Sequence, residues 1–191
     1  MGKKLSEMTL EELWRLFPII LTAHRACWKD WYWEEKSFLK AKLTQGEKIH
    51  HIGSTAVSHI WAKPIVDILV EIPKRNALSA YKSLFENCGY ICMSQSETGL
   101  SFNKGYTENG FAEKVFHLHV RYAGDNNELY FRDYLMEFPD VAKEYEKLKL
   151  SLWKEYEHNR DAYTNAKTEF IKKHTQEAKA LYKDRYLWVL E

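Results

Sequence analysis

A Gly-Ser step stands shortly before a carboxylate that lies inside an apolar run. Gly53 lets the backbone approach a phosphate closely, and the hydroxyl groups of Ser54 and Thr55 can donate hydrogen bonds to its oxygens. Asp67 follows within the run IVDILV, where an ionised carboxylate is costly unless it is paired or bound to a metal. This pattern predicts a phosphate-binding turn beside a carboxylate that holds a divalent ion.

The partner of Asp67 is left open by the sequence. Glu71 lies four residues further on, so on a strand it shares the face of Asp67 but sits about 13 Å along it. A single ion reaches both carboxylates only if the strand bends, so we expect Asp67 to hold the ion with either Glu71 or His119. The alternative is a salt bridge from Asp67 to Lys63, which would also compensate for burial.

His117 and His119 form a second candidate site on a predicted strand. Alternation places both imidazoles on one face, about 6.5 to 7 Å apart. That spacing suits two ligands of one divalent ion, or one ligand and one general base. It predicts a metal site formed by Asp67, His117 and His119, or a hydrolase that holds zinc or a related metal. Hydrogen-bonded core histidines are the equal alternative.

Basic side chains in the last third of the chain supply a third clue. Lys149 and Lys167 lie on the apolar stripes of two predicted helices, and an inward lysine needs an anion. Arg132 stands among aromatic residues, although the adjacent Asp133 is an obvious ion-pair partner. Together with Lys63, these cations predict one wall of a phosphate site.

The elements that must position these residues fall into three parts of one predicted domain, residues 1–191. They are N-terminal helices in 1–46, a sheet core in 47–122 and C-terminal helices in 127–191.

A capping box formed by Thr9 and Glu12 starts the first helix. Predicted strands cover 48–52, 65–72, 90–93, 100–103 and 115–122, with a loop at 104–110. Further helices cover 28–43, 76–88, a segment from about 128, 141–156 after a break at Pro139, and 164–186. The fold class is α+β, with a mixed β-sheet flanked by helices and the C-terminal helices packed against it.

Composition limits the function classes. The 191 residues include 28 Lys and Arg against 27 Asp and Glu, a net charge of +1, so binding of a long nucleic acid by bulk charge is not expected. The 45% of hydrophobic residues excludes disorder as a description of the whole chain. No apolar run approaches the ~18 residues of a membrane span, and the N-terminus lacks the features of a secretory signal. We therefore expect a cytoplasmic protein with no membrane association.

Six separated motifs give the chain a resemblance to the GrpB-like family. In order they are HIGSTAV at 51–57, AKPIVDILV at 62–70, HLHV at 117–120 and FRDYL at 131–135. The fifth combines Glu144-Tyr145 with Leu148-Lys149, and the sixth combines Tyr163-Thr164 with Lys167. The resemblance extends from about Leu13 to about Ala178. It implies a small cytoplasmic protein with a fold similar to the nucleotidyltransferases, and a related domain is fused to dephospho-coenzyme A kinase in some bacteria.

The resemblance also implies roles for individual residues. Gly53 and Ser54 match a turn that precedes a strand, and Asp67 matches the first of the carboxylates that hold Mg²⁺ against the phosphates of a nucleoside triphosphate. The chain departs from the nucleotidyltransferases at Leu69, where a second carboxylate completes the metal pair, and it has Ser58 to Trp61 where relatives carry a Pro-Gly-Leu turn.

The leading hypothesis combines these observations. The protein binds a nucleotide or other phosphorylated small molecule with Mg²⁺ or another divalent metal and transfers a nucleotidyl group to an acceptor. Leu69 favours the alternative, a non-catalytic ligand-binding or adaptor domain on the same fold, linked to coenzyme A metabolism.

Overall fold

Two helices precede the sheet in a computed structural model that describes residues 3–44 and 46–188. The first, α1 (Leu10–Leu16), starts with the predicted capping box: the Glu12 amide donates to Thr9 Oγ1 at 3.2 Å, and the Thr9 amide donates to Glu12 Oε2 at 2.6 Å. The second, α2 (Cys27–Lys40), buries Trp28 and Leu39 completely. The three parts predicted from the sequence also include residues 1–2, 45 and 189–191, which lie outside the described residues.

The sheet has five strands in the order β1-β2-β5-β4-β3. They are β1 (Lys48–Ile52), β2 (Val66–Ile72), β3 (Ile91–Gln95), β4 (Gly99–Thr107) and β5 (Gly110–Tyr122), with helix α3 (Leu78–Glu86) between β2 and β3. The pairing of β2 with β5 is parallel and the other three are antiparallel, so the sheet is mixed, as predicted.

The loop predicted at 104–110 is wrong, because β4 and β5 continue through most of it as a hairpin. Gly105 has a φ of +88°, and a Cβ atom there would lie 2.3 Å from the Lys114 carbonyl oxygen. The ladder shifts register between Lys104 and Tyr106 at this glycine. A bulge that only glycine fits therefore carries the strands across a segment whose composition is typical of a loop.

Four C-terminal helices follow the sheet, and the first of them packs against its β1 and β2 strands. They are α4 (Asn127–Glu137), α5 (Pro139–Tyr156), α6 (Arg160–Ala166) and α7 (Thr168–Tyr182). Pro139 is at the first turn of α5, in line with the predicted break. The single helix predicted for 164–186 is wrong: Lys167 lies at a junction between α6 and α7, and Lys183, with a φ of +45°, ends α7.

Alternation along β2 separates the core from the candidate site. Ile68 and Val70 belong to the main core, which α2 and α3 cover. Asp67, Leu69 and Glu71 alternate with them, and Leu69 packs against a leucine of α4. The α+β class is confirmed, with helices on both faces of a mixed sheet.

Within 3–44 and 46–188, no helix has the length and apolar character needed to cross a membrane.

Candidate functional site

A row of polar residues crosses three neighbouring strands on the face of the sheet against which α4 packs. Asp67 of β2 is in register with His117 of β5, which is in register with Asn103 of β4. The Asp67 Oδ1 atom lies 3.1 Å from His117 Nδ1, and the Tyr106 hydroxyl lies 2.8 Å from His117 Nε2. The structure therefore brings together Asp67 and His117, and Asp67 is hydrogen-bonded to His117 rather than paired with Lys63, the partner considered for it.

The protonation states of Tyr106, His117 and Asp67 follow from the surroundings of these three side chains. Burial raises the pKa of Tyr106 to about 12, so its hydroxyl keeps the proton and donates to His117. Burial lowers the pKa of His117, which is then neutral with its proton on Nδ1, facing Asp67. Burial tends to raise the pKa of Asp67, but the His117 hydrogen bond and nearby positive charge outweigh it and hold the value at about 2. Asp67 is therefore an ionised carboxylate at neutral pH.

The predicted Gly-Ser turn lies against this carboxylate. Gly53 has a φ of +69°, and a Cβ atom on it would lie 2.3 Å from Asp67 Oδ2. Ser54 faces the site, since its Oγ accepts a hydrogen bond from Lys149 Nζ at 3.0 Å. Thr55 is turned away, with its Oγ1 3.0 Å from His51 Nε2. The first two turn residues thus reach the site, whereas the Thr55 hydroxyl supports β1.

Lys149 is an almost fully buried cation. Its side chain extends from α5, is 2% exposed as a residue, and donates to Ser54 and to the Trp61 carbonyl. The ammonium lies 4.9 Å from the centre of the Tyr145 ring. Burial lowers the pKa of Lys149 to about 7 although Glu146 opposes the shift. The inward orientation predicted for this lysine is confirmed.

Lys167 and Lys63 meet at the ring of Tyr163. Their ammonium groups lie 4.2 Å and 5.7 Å from its centre. Burial, together with Lys63 and Lys149, lowers the pKa of Lys167 to about 7. Burial and the charge of Arg160 lower the pKa of Lys63 to about 8. The two ammonium groups share one aromatic ring, and the charges of Lys149 and Arg160 add to the lowering of their pKa values, so we treat these cations as one cluster.

Arg160 is the member of the cluster that the sequence reasoning missed. It is the first residue of α6, a helix start that had not been predicted. Asn159 provides the signal that could have found it, because its Oδ1 accepts a hydrogen bond from the Ala162 amide at 3.0 Å. We refer to Lys63, Lys149, Arg160 and Lys167 as the cation cluster. Within the described ranges, none of its members has a carboxylate oxygen within 4.0 Å.

Arg132 does not join the cluster. Its guanidinium pairs with Asp133 at 2.7 Å and donates to the His51 carbonyl at 2.8 Å and to the Tyr186 hydroxyl at 2.9 Å. The ion pair that the sequence offered as an alternative is therefore present. Arg132 connects α4 to β1 and to the segment after α7, so its expected place at the phosphate site is corrected.

Glu71 also takes a place other than the one expected. Its carboxylate is 3.0 Å from His50 Nε2, 2.9 Å from Asn126 Nδ2 and 3.3 Å from the Gly124 amide. Leu69, fully buried, separates it from Asp67 on the same face. The structure does not join the two carboxylates, and it gives Glu71 the role of connecting β1, β2 and the start of α4.

We expect Glu71→Ala to lower the free energy of unfolding by about 3 kcal/mol, because it removes one partner from a buried polar network. Urea denaturation measures the change, with exposed Glu97→Ala as the control that leaves stability nearly unchanged. A Glu71 variant as stable as the control would contradict this structural role.

A cavity of about 700 Å³ adjoins the cation cluster. Lys63 and Arg160 line it, together with Tyr106 and Asn103 of the hairpin. The remaining walls are largely apolar side chains of the N-terminal segment, α1 and β3. Because Asp67 is not among the lining residues, the cavity lies beside the carboxylate rather than over it.

The comparisons with known proteins agree on one family. The model of the family described as GrpB protein matches residues 18–177. The chain belongs to the GrpB family. It is 36% identical over 159 residues to the glutamate-rich protein GrpB of Alkalihalophilus pseudofirmus, an alignment that covers 80% of this chain and 91% of that protein. It is 31% identical over 191 residues to YqkA of Bacillus subtilis, covering 95% of this chain but 54% of YqkA, so the chain spans about half the length of that relative.

Solved structures support the same assignment. The crystal structure of the conserved protein GrpB from Enterococcus faecalis aligns with a TM-score of 0.73 and 31% identity, covering 85% of this chain and 99% of that one. The Cid1 poly(U) polymerase aligns with a TM-score of 0.47 and 10% identity over 82% of this chain and 51% of that one, which is too weak to support an inference.

The residues of this GrpB-family site do not fit a resident divalent ion. Asp67 and Glu146 both act on lysines of the cluster, but Glu146 accepts a hydrogen bond from the Trp61 amide and pairs with Lys143. In the described part of the chain, no group of three or more His, Cys, Asp or Glu is placed to hold a metal. His117 uses both ring nitrogens, on Asp67 and Tyr106, and His119 Nδ1 lies 3.4 Å from Ser101 Oγ. The expected metal set of Asp67, His117 and His119 is therefore not assembled. Mg²⁺ is commonly held by one or two carboxylates plus substrate phosphates, so it would enter here with a phosphorylated substrate.

Proposed function

We propose that this GrpB-family protein binds the phosphate groups of a nucleotide or other phosphorylated small molecule at the cation cluster. The observation that carries the proposal is the convergence of Lys63 and Lys167 on the Tyr163 ring, with Lys149 nearby, and without a carboxylate at ion-pair distance in the described residues. The buried ammonium group of Lys149 has lost hydration, and a phosphate restores its electrostatic compensation. Burial, the main cause of the lowered lysine pKa values, disfavours the charged lysines, and a bound anion offsets that cost.

The surroundings of the cluster support a phosphate rather than a carboxylate ligand. Four cations, with the Ser54 hydroxyl beside Lys149, offer more donors than one carboxylate can use. The ionised Asp67 carboxylate lies near Lys63 and Lys167 and repels an anion that approaches it, so it limits where the phosphate sits. A ligand with several phosphate oxygens matches this arrangement.

Binding of ATP should weaken by at least about tenfold as the pH rises from 7.5 to 9.5, a range over which its phosphates stay ionised. The sign follows from the lysines: the free protein loses protons from Lys149 and Lys167 above pH 7, since both have pKa values of about 7, whereas the bound anion keeps them protonated. Isothermal titration calorimetry without divalent metal measures the affinity. An affinity that is constant or rises with pH would contradict the proposal.

Nucleotidyl transfer is a second candidate, supported by the close approach of the Asp67 carboxylate to Gly53, since a carboxylate oxygen is a ligand type that Mg²⁺ prefers. In this reaction an acceptor hydroxyl attacks the α-phosphorus of a Mg²⁺–nucleoside triphosphate substrate. A new P–O bond forms, the bond from the α-phosphorus to its bridging oxygen breaks, pyrophosphate leaves with that oxygen, and the hydroxyl proton passes to solvent.

Measuring turnover distinguishes ligand binding alone from nucleotidyl transfer. Purified protein is incubated with the four Mg²⁺–nucleoside triphosphates and a metabolite extract as the source of acceptors, and pyrophosphate is measured. Release that Asp67→Asn abolishes supports transfer. Nucleotide binding without pyrophosphate release assigns the protein to the ligand-binding or adaptor class.

A further inference from the structure

We infer that the cavity beside the cation cluster receives the nucleobase of the phosphorylated ligand and that Asn103 reads the edge of that base. The inference rests on the proposed function, because the cluster fixes the phosphate end of the ligand. It assigns a substrate class, nucleotides, and a specificity-determining residue that is not part of the phosphate site.

Asn103 is a buried residue whose amide lines the cavity. The residue is 5% exposed, lines the cavity, and its side chain forms no hydrogen bond within the part of the chain that the structure describes. An asparagine amide offers two donor hydrogens and one acceptor oxygen, and here they are available to a ligand in the cavity. A heterocycle that presents a donor beside an acceptor satisfies both groups at once, as in asparagine contacts to adenine.

The cavity walls suit a flat ring. The rings of Phe17, Tyr106 and Phe111 cluster with centroid separations of 4.7 to 5.2 Å, and the half-buried Trp14 of α1 also lines the cavity. Aromatic side chains bind bases by stacking, which is favourable for every base. The volume of about 700 Å³ lies within the range of cavities that enclose a small organic ligand.

The cavity and the cation cluster are continuous. Lys63 and Arg160 belong to the cation cluster and also line the cavity. Asn103 and Asp67 lie on either side of His117, two strand spacings of about 4.8 Å apart. A ligand whose phosphates contact Lys63 or Arg160 therefore has the cavity open to its other end.

Titration calorimetry with ATP, GTP, CTP, UTP and tripolyphosphate tests the inference at pH 7.5 without divalent metal. Wild-type protein should bind at least one nucleotide about tenfold or more tighter than tripolyphosphate and should discriminate among the bases. Asn103→Leu should remove both differences while tripolyphosphate affinity stays within about twofold. Asn109→Leu, the same change at an exposed position of the hairpin turn, should behave as wild type.

Two results would overturn the inference while leaving the phosphate site intact. One is tripolyphosphate binding that equals the binding of all four nucleotides to wild-type protein. The other is an Asn103→Leu variant that keeps the base preference. Trp14→Ala is an independent test, since loss of its stacking surface should also reduce the difference in affinity between nucleotides and tripolyphosphate. A wild-type protein that binds neither tripolyphosphate nor any nucleotide would overturn the proposed function itself.

Discussion

Lys167→Met is expected to weaken ATP binding by about 10- to 100-fold and to stabilise the fold at neutral pH. The loss of affinity corresponds to one charge-assisted hydrogen bond to phosphate. The gain in stability arises because burial and the neighbouring lysines lower the pKa of Lys167 to about 7, so the folded chain carries an unfavourable positive charge that methionine removes. Calorimetry and thermal unfolding at pH 7 measure the two effects.

The pH dependence of this stability difference has a defined sign. Because the pKa of Lys167 is lower in the folded chain than in the unfolded one, wild-type stability should rise between pH 7 and pH 10 as the unfolded chain retains more protons. The advantage of the methionine variant should therefore shrink over the same range. Lys173→Met, on the exposed side of α7, is the control that changes neither property. Unchanged ATP affinity in Lys167→Met would remove Lys167 from the site.

Gly53→Ala is expected to lower the free energy of unfolding by about 2 to 4 kcal/mol and to weaken ATP binding by at least about tenfold. A φ of +69° disfavours any residue with a Cβ atom by about 1 to 2 kcal/mol, and here that atom would also lie 2.3 Å from Asp67 Oδ2. The carboxylate or the turn must move, and either displacement disturbs the phosphate position. Urea denaturation and calorimetry measure the result.

Gly89→Ala separates the two contributions to this effect. Gly89 has a similar φ of +83°, but a Cβ atom on it meets nothing within 4 Å, so its alanine variant should show the backbone contribution alone. Combining Gly53→Ala with Asp67→Ala should recover stability relative to the sum of the single variants, because the carboxylate contact is then gone and only the 3.1 Å contact with the Cβ atom of residue 67 remains. Equal losses for the Gly53 and Gly89 variants would contradict a close contact between the turn and Asp67.

Much of the fold could be predicted from local patterns. The strand Lys48–Ile52 has the predicted bounds, and the capping box at Thr9 starts α1 as expected. The hairpin between Lys104 and Gly110 was missed because Gly105 and the polar residues around it are also typical of a loop, and only pairing with β5 makes them strand. The junction at Lys167 was missed because its backbone stays close to helical values, so the periodicity hardly changes there.

The candidate site was predictable where a residue contradicted its local surroundings. Asp67 in an apolar run and Lys149 on an apolar stripe both stood out and both face the site. The involvement of Asn103 and Arg160 depends on strand register and on the course of α6, which are non-local and left no comparable pattern. Glu71 was misplaced for the same reason, since its partners His50 and Asn126 come from elements distant in sequence.

The central claim, that the cation cluster binds phosphate, is tested most directly by a crystal structure of the protein with a non-hydrolysable ATP analogue. We expect phosphate oxygens within hydrogen-bonding distance of the ammonium groups of Lys149 and Lys167, with the base in the cavity beside Asn103. Phosphates bound at another surface, with the cation cluster unchanged, would contradict it.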